Sequence, residues 1–121
     1  LEPLQELGLE ITGLDQLTGL PEYRNGGLCL DLGLLKVKDP IVVRQAHVPG
    51  SEIIVEWRAL TVVLLDRIAD TMRQQLKMTS VKLPLAKILQ GGTWAAGRQI
   101  AAELREGGPP PIQIASDGTV F

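Results

Sequence analysis

Apolar and polar positions alternate most regularly between Ser51 and Met78. Ile54, Trp57, Leu60, Thr61, Leu64, Leu65, Ile68 and Met72 recur at three- and four-residue spacing, which predicts a helix with one apolar face. Arg67, Asp70, Arg73, Gln74 and Lys77 fall opposite, and Ser51 is a good N-cap. The two halves of this helix differ. From Ile53 to Leu65 it is apolar nearly all round, with Glu56, Arg58 and Thr61 as the polar members, so this half is expected to be buried on all sides.

The remaining pattern predicts shorter pieces. Leu1 to Gly8 reads as the end of a helix stopped by Gly8. Leu14 to Leu20 reads as a short helix started by Thr12 or Asp15. Gly19, Pro21, Asn25, Gly26 and Gly27 crowd together and predict a structured turn. Leu28 to Val37, rich in leucine, reads as a helix. Lys38 to Gly50 reads as a loop holding a short strand at Ile41 to Val43. A helix from Leu83 to Gln90 would accept Pro84 in its first turn and stop at Gly91-Gly92. Thr93 would then cap a helix from Trp94 to Arg105. Gly107 to Pro111 reads as a rigid linker, and Ile112 to Phe121 as an extended tail with a turn at Asp117-Gly118. The class is mainly α.

Composition narrows the function. With 45% hydrophobic and 21% charged residues in 121, the chain is globular rather than disordered. Its net charge of -2 argues against a nucleic-acid binder that works by electrostatics. Four aromatic rings, Tyr23, Trp57, Trp94 and Phe121, are a poor platform for stacking a strand of bases. One cysteine, Cys29, excludes an internal disulfide and a cysteine zinc cluster, and one histidine, His47, excludes a two-histidine metal site. Neither a metal nor another cofactor is expected. No apolar run is long enough to span a bilayer. The chain begins at Leu1 rather than Met and shows no signal peptide, and reads as a piece of a longer protein.

Four places hold candidate chemistry. Glu56 and Arg58 sit two residues apart in the apolar half of the long helix, where a charge needs a partner. They fit an internal ion-pair network, or an arginine held for an anionic ligand, and Asp66 could support either. Glu22, Tyr23 and Arg24 put a carboxylate, a phenol and a guanidinium on the glycine-rich turn. That turn is either a plain connector or a loop carrying a general base. Gly91-Gly92-Thr93-Trp94 opens a predicted helix whose amides could bind an anion, although no Gly-Lys-Ser/Thr follows as in a P-loop. Ser116-Asp117-Gly118-Thr119 reads as a turn. Cys29 reads as a core residue, and His47 has no ligand partner nearby.

Four runs resemble the C-terminal part of the uracil catabolism protein 4 family, long described as a domain of unknown function. They are Leu17 to Gly27, Val55 to Val62, Gly91 to Arg98 and Ser116 to Phe121. The resemblance covers nearly the whole chain. It implies a single C-terminal domain over residues 1–121, near the natural C-terminus, with a larger N-terminal region outside it. It also implies a cytoplasmic role in uracil degradation through a nucleotide or nucleoside. More distantly, Glu22-Tyr23-Arg24 and Glu56-Trp57-Arg58 resemble an Asp-Tyr-Arg and a Glu-x-Arg motif of the queuosine salvage protein family, which hydrolyses an N-glycosidic bond. Glu22 stands where that family has Asp, and Gly26-Gly27 where it has a proline and a polar residue. This resemblance implies a fold like the helix-hairpin-helix DNA glycosylases.

Together these imply hydrolysis of the N-glycosidic bond in a uracil-derived nucleotide or nucleoside, intact or ring-opened. Glu22 is the expected catalytic carboxylate and Asp31 the fallback. Tyr23, Arg24, Asn25, Glu56, Arg58, Thr93, Trp94, Arg98 and Asp117 are the expected substrate-binding residues. The expected partners are the small-molecule substrate and the rest of the protein, with no nucleic acid and no membrane. A transferase acting on the same bond, or a non-catalytic structural module, are the alternatives.

Overall fold

The structure is a computed structural model and describes residues 1–115 and Gly118. It is mainly helical, as the periodicity predicts. Helix α1 spans Glu2–Glu6, α2 Tyr23–Asp31, α3 Glu52–Leu76, α4 Leu85–Ile88 and α5 Trp94–Leu104. The only ladder contact among the described residues is a parallel bridge between His47 and Ile114.

Helix α3 forms because its apolar residues repeat at the helical period over 25 residues. Its inner stripe of Ile54, Trp57, Thr61, Leu65 and Ala69 is buried. Ile54 and Trp57 join Ile112 in a small core, against which Tyr23, Leu30, Leu35, Val42 and Ile114 pack. The expectation that its first half is buried all round is corrected. Val55, Leu60 and Val63 are exposed, because no described element covers that side. Among the described residues no helix is long and apolar enough to cross a membrane.

Helix α2 lies where a turn was expected. Asn25, Gly26 and Gly27 are inside it, and it ends at Asp31 rather than running to Val37. Two facts account for the shift. Glu22 supplies the cap that starts the helix, and the glycines let other elements approach its backbone. A Cβ on Gly26 would stand 2.9 Å from both Thr61 Oγ1 and the Trp57 ring of α3. On the facing helix, a Cβ on Gly97 would fall on the Arg24 carbonyl oxygen. Helix α2 packs chiefly against α5 and then α3, so a local turn signal is overridden by backbone-close packing.

Four further expectations change. The helix expected over Leu14 to Leu20 is one 3-10 turn at Leu14–Gln16. The strand expected at Ile41 to Val43 is a 3-10 turn, Pro40–Val43, with Pro40 in its first turn and the Asp39 carboxylate accepting from Ile41 N at 3.0 Å. Gly91-Gly92 do not stop a helix. Residues Leu89–Thr93 form a π turn that carries α4 into α5 without a break. Thr93 therefore caps nothing, and no helix N-terminus exists there to bind an anion. The turn expected at Asp117-Gly118 and the tail to Phe121 fall outside the described residues, apart from Gly118.

Candidate functional site

The site starts from Glu22. Its backbone is extended (φ -81°, ψ 164°), and its carboxylate folds back over the first turn of α2. One oxygen accepts from Asn25 N at 2.6 Å and the other from Arg24 N at 2.9 Å. A negative charge at a helix N-terminus is favoured by the unpaired amides and the helix dipole. Both donors are neutral, and a carboxylate has about four acceptor positions, so lone pairs remain for a ligand.

Glu22 lines two openings. On one side is a crevice too narrow for a water-sized sphere, shared with Tyr23, Gly26, Trp57, Arg58 and Thr61. On the other is a wider cleft of about 420 Å³, formed with Leu20, Asn25, Leu89, Gln90 and Trp94. The π turn supplies Leu89 and Gln90 to that cleft.

The expected site residues divide between these openings and elsewhere. Arg58 joins Glu22 in the crevice, and its buried Nε has no partner among the described residues. Glu56 is exposed and lines neither opening. Among the described residues, the ion-pair network expected for Glu56 and Arg58 does not form. The ion pairs among the described residues are Arg73–Asp70 and Arg105–Asp31. Tyr23 lines the crevice, while Arg24 stacks its guanidinium 4.8 Å from the Tyr23 ring and donates to the Gly108 carbonyl at 2.7 Å. Asn25 is buried. Its Oδ1 accepts from Thr93 Oγ1 at 2.7 Å and its Nδ2 donates to the Leu20 carbonyl at 3.3 Å. Trp94 lines the cleft with Arg98 5.8 Å above its ring. Asp117 lies outside the described residues.

Asp31, the fallback carboxylate, is elsewhere and engaged. Both of its oxygens accept from Arg105, at 2.8 and 2.7 Å. Cys29 and His47 take no part in either opening. Burial pushes the Cys29 thiol up from its ordinary value, which makes it a poor nucleophile. The buried His47 ring donates from Nε2 to the Val42 carbonyl at 2.8 Å. Among the described residues no three His, Cys, Asp or Glu side chains gather as a metal site.

Sequence reasoning missed the cleft. Gly91-Gly92 read as a stop, yet the π turn is what brings Gln90 and Trp94 beside Glu22. Glutamate is not among the preferred N-caps, so nothing local marked Glu22 as the start of a helix. Its geometry suits a fixed charge: a carboxylate held in place beside a cleft can orient water or stabilise a developing cation.

Comparison with known proteins adds a family. The family described as protein of unknown function, DUF1688, matches residues 1–121. Protein urg3 of Schizosaccharomyces pombe is 46% identical over 117 residues, covering 95% of this chain and 29% of that protein. Uracil catabolism protein 4 of Lachancea kluyveri is 39% identical over 139 residues, covering 100% of this chain and 31% of that protein. The chain therefore spans less than a third of the length of these relatives. No solved structure matches.

Proposed function

Since the chain belongs to the DUF1688 family, we propose that it forms part of a uracil catabolism protein which hydrolyses the N-glycosidic bond of a uracil-derived nucleotide or nucleoside. The observation that carries this reading is Glu22, fixed by two backbone amides between two openings, with Arg58 in one of them. The resemblance to the queuosine salvage family supplies the bond. In such a reaction the bond from the anomeric carbon to nitrogen lengthens first, and positive charge builds on the sugar. Glu22 stabilises that charge and orients water. The water oxygen bonds to the anomeric carbon, and its proton ends on the departing nitrogen. Tyr23 and Arg58 lie beside Glu22 in the crevice, which is too narrow for a ligand, so the substrate approaches Glu22 from the wider cleft. The reaction takes place in the cytoplasm, and the rest of the protein completes the pocket.

The exposed side of α3 favours a second reading. Val55, Leu60 and Val63 would be covered by the rest of the protein, and this chain would be a packing module.

The test uses the full-length protein with uridine, uridine monophosphate and their ring-opened derivatives, reading released ribose or ribose phosphate. Glu22→Gln is expected to lower turnover by about 10²- to 10³-fold, the scale of losing one preorganised electrostatic group. Its melting temperature should stay within a few degrees, since Gln still offers an acceptor to α2. A folded, fully active Gln variant would remove Glu22 from the reaction. No release from any substrate by the folded wild type would favour the packing module, and a need for phosphate or another acceptor would mark a transferase.

A further inference from the structure

We infer that the cleft between Glu22 and the π turn is the subsite for the planar, amide-edged part of the ligand, with Trp94 as its stacking surface. This rests on the reading of Glu22 given above, and deepens it by naming the part of the ligand that the cleft takes.

Size decides the assignment. The crevice admits no water-sized sphere, whereas the cleft holds about 420 Å³, ample for a pyrimidine or its opened ureido form. Wall chemistry agrees with size. Leu20 and Leu89 give apolar contact, and Trp94 lines the same wall. Trp94 stays 40% exposed while Trp57, the other tryptophan, is 6% exposed in the core. The guanidinium of Arg98 lies over the Trp94 ring and restrains it. One ring cannot stack a strand of bases, but it suffices for a single base.

Polar groups in the same wall match an amide edge. Asn25 is 3% exposed, and its amide is locked in one orientation by Thr93 and the Leu20 carbonyl. Two bonds leave one Nδ2 hydrogen unused, a donor for a carbonyl oxygen. Gln90, exposed on the π turn, offers both a donor and an acceptor, the pattern that reads a –CO–NH– edge. The π turn explains why these groups meet. Such turns are rare and occur often at functional sites. Here the turn points Gln90 into the cleft while Thr93, three residues on, still reaches Asn25.

Binding calorimetry tests this on the full-length protein in the Glu22→Gln background, in which turnover is slow on the timescale of a titration. The probes are uridine monophosphate, its ring-opened ureido counterpart and ribose 5-phosphate. Trp94→Ala is expected to weaken the two amide-bearing probes roughly tenfold, the scale of one lost base–aromatic stack, and to leave ribose 5-phosphate unchanged. Trp94→Phe, which keeps a ring, is expected to retain most of the affinity. Gln90→Ala, an exposed change, is expected to weaken only the amide-bearing probes. A larger Trp94→Ala effect on uridine monophosphate than on the ureido probe identifies the intact ring as the occupant, and the reverse identifies the opened form. Equal loss for all three probes, or no loss for the amide-bearing pair, overturns the subsite. Trp94-dependent binding without glycosidic cleavage would sink the reaction and keep the subsite. Cleavage untouched by Trp94→Ala would do the opposite.

Discussion

Helix α2 carries a carboxylate at each end, Glu22 just before Tyr23 and Asp31 as its last residue. They differ in what takes up their charge. Glu22 sits at the favourable end of the helix dipole, half-buried, and among the described residues accepts only from neutral backbone amides. Asp31 sits at the unfavourable end, with its side chain 5% exposed, and needs a cation. Arg105 provides it with a two-pronged pair. A carboxylate whose oxygens both face one guanidinium is a clamp between elements. A carboxylate held by amides beside a cleft keeps its charge for a ligand.

The largest stability effect should come from the clamp. Asp31→Ala strands the Arg105 guanidinium and removes the link from α2 to the end of α5. Breaking a buried pair costs about 3–5 kcal/mol, and the partial exposure of Arg105 reduces the expectation to about 3. Glu22→Ala should cost about 1 kcal/mol, the usual value of a lost N-cap. Denaturant unfolding of both variants checks the contrast. Equal losses would erase the distinction between the two ends.

Next comes the line where α2 meets α5. Gly97→Ala would place a methyl on the Arg24 carbonyl, so the helices must part. Overpacking of this kind costs about 1–3 kcal/mol, and an obstacle made of backbone has little freedom to give. About 2 kcal/mol is expected, read from the denaturation midpoint. Because parting the helices also shifts the first turn of α2, substrate release should fall beyond the loss of folded protein. A Gly97→Ala variant as stable and active as wild type would mean that α5 can slide without disturbing Glu22.

Legibility followed the range of the causes. Helix α3 was plain because its apolar repeat is local and runs for 25 residues. Its exposed side was misjudged because burial depends on what packs against a face, and sequence pattern alone does not say whether that element is present. Helix α2 was misread because Asn25-Gly26-Gly27 signals a turn locally. Gly26 serves instead to admit Trp57 and Thr61, and Gly27 to admit Pro111, all more than thirty residues away. The clamp was invisible for the same reason, since Asp31 and Arg105 are 74 residues apart. Of the site, the Glu22-Tyr23-Arg24 run and Arg58 were legible as chemistry, and three of them, Glu22, Tyr23 and Arg58, share the crevice. The cleft was not legible, because a π turn through Gly91-Gly92 has no sequence signature to set against a helix stop.

The smallest effect probes how the Glu22 end is tied to that π turn. Thr93→Val keeps the shape of the side chain and removes the hydroxyl that donates to Asn25 Oδ1. The buried Asn25 oxygen then loses a partner, which costs about 1 kcal/mol, whereas Asp31→Ala removes a charged one. Because Asn25 N also donates to Glu22, a loosened Asn25 should reduce affinity for uridine monophosphate a few-fold, with ribose 5-phosphate affected less. Thr93→Ser restores the donor and should recover both stability and binding. If Val and Ser behave alike, the hydroxyl does not tie α2 to the π turn. Packing alone would then hold the cleft, and the two ends of α2 would differ only in the clamp.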